Sequence, residues 1–158
     1  MKAVIQEFID NKSVALAGVS RDSKKWGSML FKALKKKDYI IYPVNPNMED
    51  YKGDKCYSSV TDLPIEVTNL IIATSPEATL SLVKDCANSG IKNIWMHQGA
   101  GGTGAQSQEA IDFCKENKLG IVYGFCPMMF LPPVGGHKIH YWIKKLTRNL
   151  PQEYVGQN

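Results

Sequence analysis

The chemistry-bearing residues of this chain begin at Gly18-Val19-Ser20, followed by the cations Arg21, Lys24 and Lys25 and, some twenty positions on, by Tyr42-Pro43-Val44-Asn45-Pro46. An apolar stretch precedes the first group and an amphipathic one separates the two, so the order is strand, turn, helix, strand. Such a turn suits phosphate. Gly18 lets the backbone come close, the Ser20 hydroxyl can donate, and amides at a helix start carry partial positive charge. A dinucleotide turn usually reads G-x-G-x-x-G and is followed about 20 residues later by an acid that holds the ribose. Here the glycine pattern is missing, and no carboxylate follows Ile41 at the end of the second strand. That disfavours NAD and, with the added cations, favours a ligand richer in phosphate, such as a 3'-phosphorylated adenine nucleotide.

Covalent chemistry has fewer candidates. Cys126 follows the last expected strand and falls on the same side of a parallel sheet as the phosphate turn. A nucleophilic thiol needs an activating base, and none of His97, His137 and His140 stands at a spacing that pairs it with Cys126. Two histidines three residues apart, His137 and His140, make no metal site without a third ligand. The four cysteines are scattered and form no C-x-x-C, against a zinc site or disulfide scaffold and in keeping with a reducing cytoplasm.

Gly18-Val19-Ser20-Arg21-Asp22 and Tyr42-Pro43-Val44-Asn45-Pro46 together resemble the stand-alone CoA-binding domain family, itself similar to the N-terminal CoA-binding domain of the succinyl-CoA synthetase alpha subunit. Ala73-Thr74-Ser75-Pro76, His97-Gln98-Gly99-Ala100 and Gly124-Phe125-Cys126-Pro127 resemble further blocks of that family, in its order. The likeness runs from the first helix to Pro127 and is weaker from Met128 to Asn158. It implies coenzyme A or an acyl-CoA, with diphosphate at Gly18, Val19, Ser20, Arg21 and Lys25, adenosine near Asn45 and Pro46, and Lys52 or Lys55 near the 3'-phosphate. The pantetheine arm would cross Thr74, Ser75 and Pro76 towards Gln98, Gly99 and Cys126. The phosphorylated histidine of the related synthetase belongs to a later domain, so its ligase chemistry is not carried over and no turnover is expected of this domain alone. Two other readings stay open: an NAD-binding redox sensor or small oxidoreductase, and a CoA-dependent interaction module with a second copy or another protein as partner. A third reading is a mixed disulfide between Cys126 and CoA.

The elements that must position these residues follow from periodicity. Val4, Ile5, Phe8 and Ile9 share a helical face; Val14, Leu16 and Val19 mark the first strand; Trp26, Met29, Leu30, Ala33 and Leu34 form the stripe expected to face a sheet. Asn69 to Ala73 is nearly continuously apolar, as in a strand buried on both faces. A helix with Leu82, Val83, Cys86 and Ala87 follows, expected to end near Gly90, then a strand at Asn93 to Met96. A last helix carries Ala110, Ile111 and Cys114, and a last strand runs from Gly120 to Tyr123. A short extra strand is expected near Cys56-Tyr57. Alternation of β and α predicts a Rossmann-like, three-layer, doubly wound and mostly parallel sheet in one domain over 1–158, with ligands at the carboxyl ends of the strands. The core is expected over about 3–127, with an extension bearing a helix over about 138–148 on which Ile139, Trp142, Ile143 and Leu146 form a stripe.

Composition narrows the partners. With 19 basic and 15 acidic residues the net charge of +4 is a mild excess, enough for an anionic small molecule, and no recognised module or basic tail points to nucleic acid. No apolar run of about 18 residues marks a membrane span. The first residues turn acidic too early for a secretory signal.

Overall fold

The structure, a computed structural model, describes residues 1–99, 102 and 104–131. Five parallel strands form the sheet, in the order β2-β1-β5-β6-β7: β1 Ser13–Ala17, β2 Ile40–Val44, β5 Asn69–Ile72, β6 Asn93–His97 and β7 Gly120–Phe125. Between β2 and β5 lies a small antiparallel hairpin of β3 (Asp50–Tyr51) and β4 (Asp54–Lys55). The extra strand expected near Cys56-Tyr57 is thus β4, and Tyr57 adds a lone parallel bridge to Val44. β2 tolerates Pro43 because it is an edge strand; Pro43 still accepts a hydrogen bond from the Tyr57 amide at 2.8 Å.

Helices α1 (Lys2–Asp10) and α2 (Trp26–Lys35) cover one face of the sheet, α3 (Pro76–Cys86) and α4 (Gln108–Glu116) the other. This is the doubly wound Rossmann-like arrangement expected from the alternation. Ile5, Phe8, Leu30 and Leu34 meet Leu16, Ile71 and Trp95 on the first face, and Val83, Ile111 and Cys114 meet Leu70, Ile72 and Ile94 on the second. Each such side chain, fully buried, stabilises the fold by about 1.5–3 kcal/mol. Strand order reverses between β1 and β5, since the chain leaves β1 for one flank of the sheet and β5 for the other. At such a switch point the connections diverge and open a crevice outside the carboxyl ends.

Two local expectations are corrected. The buried stripe of α2 is Gly27, Leu30, Phe31 and Leu34, one residue out of phase with the expected one, while Trp26 and Met29 are 42% and 37% exposed. Gly90 does not cap α3, which ends at Cys86; its bare Cα instead lets the Ile65 carbonyl approach closely. The C-terminal helix with its stripe, His137 and His140 lie outside the described residues, as do Ala100 and Gly101.

Candidate functional site

The strand β1 ends at Ala17, and the backbone turns through Gly18 with φ at +97°, a conformation that L side chains rarely adopt. A Cβ on Gly18 would stand 2.6 Å from the Ala73 carbonyl oxygen, so this glycine is required by the close approach of the β1 and β5 ends. On the other side of the turn, Gly27 in the first turn of α2 packs its bare Cα against the Gly18 carbonyl. Helix, turn and the neighbouring strand's end meet here with no side chain between them.

Hydrogen bonds inside the turn decide which amides remain for a ligand. The Gly18 amide donates to Val44 at 3.4 Å, the Ser20 amide donates to the Ser28 hydroxyl at 3.3 Å, and that hydroxyl donates back to the Ser20 carbonyl at 2.7 Å. The Ser20 hydroxyl accepts from the Asp22 amide at 3.2 Å, and the Asp22 carboxylate accepts from the Lys24 backbone amide at 2.9 Å. The amides of Val19 and Arg21 and those opening α2 take no part in these bonds; Val19, Gly27 and Ser28 are buried, Arg21, Lys25 and Trp26 are exposed, and Lys25 stands at the N-cap and makes no side-chain cap. An uncapped helix start keeps its orphan donors and its positive partial charge.

Asn45 ties two segments of this edge together. Its Nδ2 donates to the Val19 carbonyl at 2.8 Å and its Oδ1 accepts from the Asn47 amide at 2.9 Å. The side-chain amide therefore holds the phosphate-sized turn to the loop after β2, and what it leaves to a ligand is the surface of the pair Asn45-Pro46. Beside it runs an open groove of about 950 Å³, lined among others by Arg21, Pro46, Glu49, Lys55, Tyr57 and Asp62. A smaller cleft of about 390 Å³ lies at the switch point itself, between Gly18, Asn45, Thr74 and Leu82. Both volumes fall in the range of small-molecule sites.

The structure brings Gly18, Val19, Ser20, Arg21, Lys25, Asn45, Pro46 and Thr74 to this one edge. Lys52 is elsewhere: at the tip of the β3–β4 hairpin, its ammonium 5.3 Å and 5.9 Å from the ring centres of Tyr51 and Phe31. Lys55 is the hairpin cation that lines the groove, its ammonium 4.8 Å from the Tyr57 ring centre. Ser75 occupies the N-cap of α3 and Pro76 its first position, yet Ser75 does not cap the backbone. Its hydrogen bond goes to Glu77, holding that exposed carboxyl below its ordinary range.

Gln98 and Gly99 follow β6 on the far side of the switch point. Gln98 donates through Nε2 to the Gly102 carbonyl at 2.9 Å and so pins its own loop. Gly99 passes beneath Trp26, whose indole lies over the His97 imidazole with ring centres 4.9 Å apart. Cys126 is 3% exposed and belongs to the core with Trp95, Met129 and Phe130, below the edge rather than on it. Burial leaves no open approach for a mixed disulfide at Cys126. The groove has its own thiol, Cys56, which burial pushes above the usual cysteine range and keeps protonated.

Sequence reasoning missed Trp26, Gly27, Ser28, Glu49 and Asp50. A glycine and a serine together at a helix start were the available signal for the first group. For the carboxylates there was none, because the two-residue strand that carries Asp50 and the bend before it that carries Glu49 have no periodicity; Glu49, Asp50 and Asp62 bring to the groove the acids that β2 itself lacks.

A doubly wound sheet, a glycine turn at the switch point and a charged groove beside it define a Rossmann-like α/β domain. Residues 12–132 match the family described as CoA binding domain, and the chain belongs to that family. It is similar to the ADP-forming acetate–CoA ligase II of Archaeoglobus fulgidus, 41% identical over 90 residues that make up 56% of this chain and 13% of the relative. It is also similar to the alpha subunit of the ADP-forming acetate–CoA ligase II of Pyrococcus furiosus, 32% identical over 107 residues, 66% of this chain and 23% of the relative. The chain thus spans less than a quarter of the length of these ligases. A solved hypothetical protein of Pyrococcus horikoshii superposes with a TM-score of 0.72 at 29% identity, over 81% of this chain and 87% of the other. Among the described residues no helix is long and apolar enough to cross a membrane.

Proposed function

We propose that this domain binds coenzyme A or an acyl-CoA non-covalently across the carboxyl edge of its sheet and performs no turnover alone. The observation that carries the reading is the uncapped start of α2 set directly against the Gly18 turn, with Gly18 and Gly27 letting the ends of β1, β5 and α2 pack without side chains between them. A diphosphate accepts there from the amides of Val19, Arg21 and the first turn of α2, with Arg21 and Lys25 as counter-charges. The nucleoside lies in the groove by Asn45 and Pro46, with Lys55 rather than Lys52 placed for the 3'-phosphate. Membership of the CoA binding domain family supports the ligand, and likeness to ADP-forming acetate–CoA ligases supports a role in acyl-CoA metabolism. Action as a module that reports CoA to a second copy or another protein is compatible with this reading, and a reducing cytoplasm suits four free, buried cysteines.

One observation favours a second ligand. Glu49 and Asp50 line the groove and can accept from ribose hydroxyls, as the acid of an NAD site does. Isothermal titration with CoA, dephospho-CoA, NAD and ATP separates the two. CoA is expected to bind tightest, and NAD binding as tightly or more so overturns the proposal. At a hundred times its dissociation constant, CoA is expected to stabilise the fold by about 2.7 kcal/mol, a melting shift of roughly 5–10 °C.

A further inference from the structure

The cleft of about 390 Å³ at the switch point adjoins the charged groove and differs from it in chemistry. Asn45, Pro46 and Ser58 border both, so one ligand can occupy the two together. The groove holds the cations Arg21 and Lys55. The cleft has no cation among the described residues that line it, and Ala17, Val44, Pro46 and Leu82 give it an apolar lining. Most polar side chains around it are already spent. The Ser58 hydroxyl donates to the Asp62 carboxylate at 2.6 Å, the Ser59 hydroxyl accepts from the Thr61 amide at 3.2 Å, and Thr74 Oγ1 lies 3.4 Å from the Thr79 hydroxyl. Ser81 and Asp85 differ: they stand four residues apart on one face of α3, and among the described residues neither side chain makes a hydrogen bond or ion pair. Asp85 lies in the last turn of α3, at the negative end of the helix dipole, so the helix itself gains nothing from a carboxylate there.

A nucleoside with a 3'-phosphate is divided in the same way, with its charge on the sugar and a flat, uncharged base beside it. The charged part matches Arg21 and Lys55, and the base matches the cation-free cleft. A carboxylate only accepts hydrogen bonds, so it favours a base edge that bears an amino group over one that bears a carbonyl oxygen. We infer that the cleft between Gly18, Pro46 and Leu82 takes the base of the nucleotide, and that Asp85, with Ser81 beside it, selects adenine by accepting from its exocyclic amine. The sugar and its 3'-phosphate stay in the groove on the other side of Pro46. With the nucleoside spanning both cavities, the pantetheine arm leaves the diphosphate away from the cleft. The inference rests on the coenzyme A reading of the site.

The test titrates the native protein, Asp85→Asn and Ser81→Ala with three fragments: adenosine 3',5'-bisphosphate, its inosine counterpart, in which a carbonyl replaces the amino group, and phosphopantetheine, the arm without the nucleoside. The native protein is expected to bind the adenosine compound about tenfold tighter than the inosine one, the scale of one hydrogen bond to a charged acceptor. In Asp85→Asn, whose amide both donates and accepts, the two are expected to come within about twofold of each other, with Ser81→Ala between. Both positions are exposed, so the variants are expected to melt within about 2 °C of the native protein. The backbone amide signals of Leu82 and Asp85 are expected to move with adenosine 3',5'-bisphosphate and to stay with phosphopantetheine. An unchanged adenosine-to-inosine ratio in Asp85→Asn, equal binding of the two by the native protein, or cleft amides that move with phosphopantetheine alone, each with CoA still bound, overturns the assignment of the base and leaves the CoA reading standing. A native protein that binds neither CoA nor adenosine 3',5'-bisphosphate instead overturns the reading on which the inference rests.

Discussion

The two ends of the central sheet differ in how many of their polar groups they leave open. At the amino end Asn69, fully buried, donates to the Glu7 carbonyl at 3.4 Å and accepts from Asn93 at 3.0 Å, while Asn11 donates to Thr68 at 3.4 Å. A Cβ on Gly120 would collide with the Asn93 side chain, so the glycine makes room for that bond. This end closes on itself. At the carboxyl end α2 starts without a side-chain cap, Ser75 leaves the backbone of α3 uncapped, and the cavities by Gly18, Arg21 and Asn45 open between the loops. Buried polar groups satisfied within the protein fix strand register; donors left at an open edge are available to a ligand.

The comparison breaks most readily at Gly18, where the open end is also structurally demanding. Gly18→Val forces a β-branched residue to φ +97° and into the Ala73 carbonyl, and is expected to cost roughly 3 kcal/mol or more. The geometry says that the variant melts about 10 °C lower or fails to fold, which a thermal scan decides. A variant melting within 2 °C or so of the native protein would show the turn to be more yielding than described.

Asn69→Leu sharpens the contrast from the closed end. It leaves Asn93 and the Glu7 carbonyl without their partner at a cost of about 1–3 kcal/mol, while the affinity for CoA is expected to stay within about twofold. Arg21→Ala, at the open end, is expected to do the reverse: a melting point without ligand within about 1 °C of the native protein, and CoA affinity lower by roughly tenfold, as for loss of one charge-assisted hydrogen bond to phosphate. Equal effects of the two substitutions on binding would erase the distinction between the ends.

The smallest effect comes from pH and belongs to the core. Burial raises the Cys86 thiol to about 12 and the Cys114 thiol to about 11, from 9.0. Folded and unfolded chains hold these protons equally below pH 9. Above it the unfolded chain releases them first, so stability falls as pH rises from about 9 towards 11 and 12. Tyr39, raised from 10.0 to about 12 mainly by burial, adds to the fall above pH 10. Melting points between pH 8 and 10.5 are expected to decline less steeply in Cys86→Ser, whose hydroxyl does not titrate there, by a few degrees at most.

How much of this was legible in the sequence depends on how local the signal is. The apolar run Asn69 to Ile72 and the helical spacing of Ile111 and Cys114 state their own structure, and from them follow the alternation and the parallel sheet. The phase of α2 did not show, because its inner face starts from Gly27 and Ser28, chosen by the turn they pack against and not by hydrophobicity. Asn45 was legible as a residue of this edge, but a sequence does not say that both ends of its amide are spent on the backbone. Lys52 and Lys55 differ only in which side of a hairpin they leave, and the two-residue strands of that hairpin carry no pattern. Cys126 was placed on the ligand side by its position after β7, whereas the turn at Pro127–Met129 draws it into the aromatic core.

The central claim, that coenzyme A lies across the carboxyl end of the sheet with its diphosphate at the start of α2, is tested most directly by backbone amide chemical shifts in a titration with CoA. The largest changes are expected at Val19, Arg21, Trp26 and Gly27, with Asn69 and Asn93 unmoved. Saturating CoA that leaves the Gly18 turn and the first turn of α2 unperturbed, or that moves the amino-end asparagines instead, would contradict the account.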